Sequence, residues 1–150
     1  MKSVFDQKVR KELVQRINQL DENCRAQWGK MNVYQMIRHC TDWEKWMQGK
    51  GNYVYKHVFI GKIFGKMALK RTVRDDKPLD KGVPTITALK IKETTGNIPA
   101  EKQTWIELIH SWEHYSNPEF IHDFFGKMTK EQVGIMAYKH NDHHLRQFHS

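Results

Sequence analysis

Thr129 is followed three residues later by Gln132, the signature of a helix N-terminus at which side chain and backbone cap each other. The residues after it keep a helical rhythm toward the end of the chain. At about 100° per residue, Val133, Met136, Ala137, His140, His144, Gln147 and Phe148 fall on one face. A helix with such a face does not stand alone, because the face has to be buried against other elements. Asp142 and Arg146 are expected to point away from it, with His143 on its flank.

The rest of the chain supplies partners of the same kind. Val4, Val9, Leu13, Ile17 and Leu20 share a face at helical spacing and predict a helix over Val4–Leu20. Asn32 is placed to cap a second helix, with Val33, Met36, Ile37, Cys40, Trp43 and Met47 as its apolar stripe and the glycines of GKGN at its end. A third helix is expected from about His57 to Lys70, despite Gly61 and Gly65. Pro78, Gly82, Pro84, Gly96 and Pro99 then make Thr72 to Pro99 irregular. A connection of that length in a small domain is either a functional cover, expected over or beside the open end of the assembly, or a poorly ordered excursion. A fourth helix begins after Pro99 and carries Trp105, Leu108, Ile109 and Trp112; SNPEF breaks the chain before the last helix. No segment reads as a strand. The expected fold is an all-α bundle, one domain over residues 1–150.

Composition narrows the classes of function. A chain of 150 residues with 39% hydrophobic residues can bury a real core. No apolar run approaches the roughly 20 residues that span a bilayer, and the charged N-terminus does not read as a secretory signal. No membrane partner is therefore expected. Two cysteines, Cys24 and Cys40, make no disulfide framework and suit a reducing, cytoplasmic setting. The net charge of +8 is compatible with an anionic partner. Nucleic acid is not expected, because there is no helix-turn-helix pattern or regular basic stripe.

Chemistry concentrates in YKHNDHHLRQF, residues 138–148. His140 and His144 sit near the centre of the inward face, four residues apart, so both rings can reach one ion. Two ligands rarely hold a divalent cation; a third is expected from another helix. His39 fits, three residues after Met36 and four before Trp43, on the edge of the second helix's inward stripe. Three histidines with open positions form the catalytic pattern of a metal site. The competing reading is that these are hydrogen-bonded core histidines. His57, His110, His114 and His149 lack such geometry; His122 either approaches the site mouth or is structural. Cys40 follows His39 but diverges from it by about 100°, and reads as a buried, inert thiol.

The stretches WGKMNVYQMIRHC, HDFFGKMTKEQ and YKHNDHHLRQF, in this order and spacing, resemble a subfamily of unknown function within the DinB/YfiT-like metalloenzyme superfamily. The resemblance covers most of the chain and is loose from Gly49 to Ala100. Asp123 departs from it, since proline tends to follow that histidine in the subfamily. It implies a four-helix bundle with a long crossover connection. It also implies a divalent metal (nickel, zinc or iron) held by His39, His140 and His144. Characterised members include thiol-dependent S-transferases and isomerases that use low-molecular-weight thiols, and some hydrolases.

The expectation is thus a metal-dependent enzyme acting on a small molecule, either a hydrolase or a thiol S-transferase. Asp42, His143 and Gln147 are candidates to support the ligand rings. A homodimer is an assembly that stays open. The alternative is a non-catalytic helical binding module whose histidines are structural and whose charge serves an acidic partner.

Overall fold

A computed structural model of the chain describes residues 1–83 and 85–150; the expected breaker at Pro84 lies outside the described residues. Among the described residues five α-helices follow one another: α1 (Gln7–Asn18), α2 (Val33–Gln48), α3 (Phe59–Thr72), α4 (Ile98–Ser111) and α5 (Lys130–Gln147). Short 3-10 turns lie at Thr87–Leu89 and Trp112–His114. Among the described residues there is no strand, and a lone bridge pairs His122 with Gly126. The fold is an all-helical bundle. Four helices close a ring in which α1 and α2 each pack on both α4 and α5, while α3 stands outside on the crossover.

The helix boundaries follow from capping chemistry. Asn32 accepts from the Gln35 amide while the Gln35 side chain returns to Asn32, and Thr129 and Gln132 do the same for α5. Each such box satisfies two otherwise orphaned donors, about 1 kcal/mol for the cap residue. Gly49 ends α2 in the left-handed region, φ 68°, where a side chain would be strained.

Besides shifts of about two residues at the end of α1 and at both ends of α3, three boundaries differ from the sequence reading. Helix α1 begins at Gln7, because the Asp6 carboxylate caps it by accepting from the Lys8 amide. Val4 is still buried, in a turn whose amide donates to the Gly134 carbonyl. Helix α4 begins at Ile98, capped by Asn97, so Pro99 lies inside the first turn, where its missing N–H costs nothing. Helix α5 stops at Gln147, and Phe148 turns back into the core.

A fourth difference bears on the site. Asp142 does not point to solvent. It is buried and held by Arg16 at 2.8 Å and Arg146 at 2.7 Å. Helix α5 is enclosed on nearly every side, with Lys139, Asn141 and Asp142 as buried as His140. A wheel separates inward from outward only when one face is wet; here the far side of α5 is covered too.

Candidate metal centre

Helices α2 and α5 bring together the N-terminal half of one and the C-terminal half of the other. His39, His140 and His144 meet there, all buried, their ring centroids 5.2, 4.8 and 4.7 Å apart pairwise. One nitrogen from each lies within 4.8 Å of the others, so the three can hold a metal ion. The Nε2 atoms of His39 and His140 are 3.2 Å apart. Two nitrogen ligands on one tetrahedral zinc-sized ion stand about 3.3 Å apart, so this pair already has the separation that a shared cation needs.

The protein fixes which nitrogen faces inward. The Nδ1–H of His39 donates to the Leu89 carbonyl at 3.0 Å. A carbonyl only accepts, so the proton sits on Nδ1 and the Nε2 lone pair faces the cluster. The Nδ1–H of His144 donates to Oε1 of Gln147 at 2.9 Å, and the Gln147 amide donates in turn to the Trp28 carbonyl at 2.7 Å. That second bond decides the amide's orientation and hence the His144 tautomer. The segment around Trp28 is strapped to α5, since the Gln27 amide donates to the Gln147 carbonyl. Gly29 (φ 81°) follows, packed so closely that a Cβ would meet Gln147 at 2.8 Å. His140 differs from its neighbours. Its ring stacks on Trp43 at 3.9 Å and 7°, and its buried Nδ1 has no partner.

Burial holds all three rings neutral near pH 7. It lowers the pKa of His39, against the Leu89 hydrogen bond. Burial, then the facing His144 and His39, drive His140 well below the usual imidazole range. Burial and then His39 push His144 down to about 3. Neutral imidazole is the ligand form. Three neutral imidazoles with one nitrogen each within 4.8 Å of the others are a donor set that could hold a metal ion.

Of the residues expected to support the rings, one touches a cluster histidine through a hydrogen bond and two do not. Gln147 is the hydrogen-bond partner of His144. Asp42 reaches Arg38 at 3.6 Å and Lys45 at 3.8 Å, and Leu89 rather than Asp42 accepts from His39. His143 is half-buried, edge-on to Trp28 at 5.5 Å and to His144 at 5.1 Å, outside the cluster. Cys40 is fully buried 3.7 Å from the Met36 sulfur, and burial pushes its thiol well up. His122 caps its own turn, its Nδ1 accepting from the Phe124 and Phe125 amides. The crossover lies against the centre: besides Leu89, Gln35 donates to the Ile91 carbonyl and Asn32 to that of Thr94.

Sequence reasoning missed Glu44. Its carboxylate is fully buried and accepts from Asn141 at 2.6 Å, Trp112 at 2.5 Å and Gln48 at 3.0 Å. Asn141 in turn accepts from Trp105 at 2.8 Å. This network joins α2, α4 and α5 beside the histidines. Burial raises the Glu44 pKa to about 7 against those three hydrogen bonds. The signal was available: Glu44 lies four residues after Cys40 and three before Met47, inside the apolar stripe.

No curated protein and no solved structure matches this sequence. The model of the DinB superfamily does, from residue 6 to residue 148, and with nearly the whole chain covered the protein belongs to that superfamily.

Proposed function

We propose that this protein is a metal-dependent enzyme in which His39, His140 and His144 hold a divalent cation, acting on a small molecule as a thiol S-transferase or a hydrolase. The convergence of three buried, neutral imidazoles, two of them with Nδ1 already committed to an acceptor, carries the reading. Such an ion lowers the pKa of a bound water or thiol enough to supply a nucleophile near neutral pH. The chain's own part is positional. Leu89 and Gln147 aim two rings, Trp43 supports the third, and the crossover excludes bulk water from one side. The net charge of +8 favours anionic substrates or an anionic thiol cofactor.

The test is elemental analysis of protein purified without a histidine tag, followed by a screen of thiols and electrophiles before and after chelation. About one equivalent of a transition metal, and a turnover that chelator abolishes and metal restores, is the expected result. Protein that stays metal-free under saturating zinc, nickel and iron would return the histidines to a structural role.

A further inference from the structure

Helix α3 is built inside out. Nine large apolar side chains are exposed among the described residues, and seven of them lie between Val54 and Met67. Along α3 the rows four residues apart separate cleanly. Gly61, Gly65 and Leu69 form the buried row. A methyl group at either glycine would run into the Phe124 carbonyl, so that side admits only a close backbone approach. The opposite row is Phe59, Ile63 and Met67, exposed by 78, 57 and 70%. Ile60 and Phe64 widen it on one flank, and Lys62, Lys66 and Lys70 line the other.

An apolar face this wide on the surface of a small domain marks a contact site. The charge around it selects the partner. From Tyr53 to Arg74 the chain carries Lys56, Lys62, Lys66, Lys70, Arg71 and Arg74 and no acidic residue; Arg71 and Arg74 are paired with Asp80 and Asp75 beyond it, so the exposed row of Lys62, Lys66 and Lys70 carries the charge of the face. A second copy docking through this face would meet the same basic row, because a two-fold interface sets one patch against itself. An anionic surface neutralises the row instead. The face carries exposed aromatic and aliphatic side chains, which suit a deformable layer. We propose that α3 lies flat on anionic lipid, with Phe59, Ile63 and Met67 in the acyl boundary and the lysine row on the headgroup phosphates. This is the composition of an interfacial helix. The expectation of no membrane partner rests on the lack of a spanning run, and no described helix is long and apolar enough to cross a bilayer. A helix lying in the plane of the surface needs no such run.

The test is co-sedimentation of the full chain with vesicles of phosphatidylcholine alone and of phosphatidylcholine containing about one third phosphatidylglycerol. Binding to the anionic vesicles only, falling at least about tenfold when salt rises from about 0.05 to 0.5 M, is the expected result. The double variant Ile63→Ser/Met67→Ser should lose at least about tenfold at either salt while keeping helicity and metal content. The triple variant Lys62→Gln/Lys66→Gln/Lys70→Gln leaves the apolar face intact and should lose the anionic preference, so the proposal is testable even if the first variant folds poorly. No binding to anionic vesicles, or equal binding to both kinds, overturns it. So does a wild-type dimer in sedimentation equilibrium that Ile63→Ser/Met67→Ser converts to monomer, which would make a second copy the occupant.

Discussion

His143 and His144 are neighbours in sequence and opposites in role. His144 is buried with its Nδ1 committed to Gln147; His143 is half-buried against Trp28. Replacing His144 with Ala should remove most bound metal, because two ligands no longer enclose the ion. Replacing His143 with Ala should leave most of it, and metal content of the two purified variants decides. Equal loss in both would put His143 among the ligands. Gln147→Leu keeps the volume but strands the His144 Nδ1–H, and a loss in metal affinity of about 10–100-fold, read by competition with a chelating dye, is expected. The convergence of the three histidines was legible because His140 and His144 lie four residues apart on an inward face and His39 lies on the edge of the inward stripe of α2, although the spacing alone suits hydrogen-bonded core histidines as well. Their orientation was not, since it depends on the Leu89 carbonyl and on Trp28, and a backbone acceptor leaves no mark in a residue pattern.

At the level of elements, the capping boxes at Asn32 and Thr129 placed two helix starts correctly, because a cap is a local bargain between four consecutive residues. Helix α1 was read too long, since Val4 is buried like its helical neighbours but sits in a turn. Periodicity reports burial and does not report hydrogen bonding. Glu44 joins three elements through one carboxylate, and its titration gives a measurable signature. Its folded-state pKa, about 7, stands above the usual carboxylate value of 4.5. Below about pH 4.5 the group is protonated folded or unfolded and contributes nothing to the pH dependence. Between about pH 4.5 and 7 the unfolded chain has lost the proton that the folded chain keeps, so stability falls over that window by up to about 3 kcal/mol and levels off above it. Urea unfolding of wild type and Glu44→Gln between pH 5 and 8.5 checks this. Whatever the offset between them, the wild type should lose stability relative to the variant as pH rises; parallel profiles would show that Glu44 keeps an ordinary pKa.

For the molecule as a whole, fold and ligand site are one structure. The candidate ligands come from two helices, and the Leu89 carbonyl ties the crossover to them. Metal bound to the folded chain alone should therefore act as a clamp. At about a thousand-fold excess over its Kd the ion contributes about 4 kcal/mol, so adding zinc to stripped protein should raise Tm by about ten degrees, measured by calorimetry. No shift would mean that the site is too weak or too strained to bind. The bundle could be read from the chain because four amphipathic faces must cover one another; the placement of α3 could not, because its glycines face inward and its large side chains outward. The Leu89 contact also has a bearing on how such a site diversifies. A peptide carbonyl survives almost any substitution that keeps the chain's path, so His39 stays aimed whatever side chains the crossover carries. Lys90, Lys92 and Glu93, exposed next to it, can drift or be randomised in a library while the orientation of His39 remains as it is.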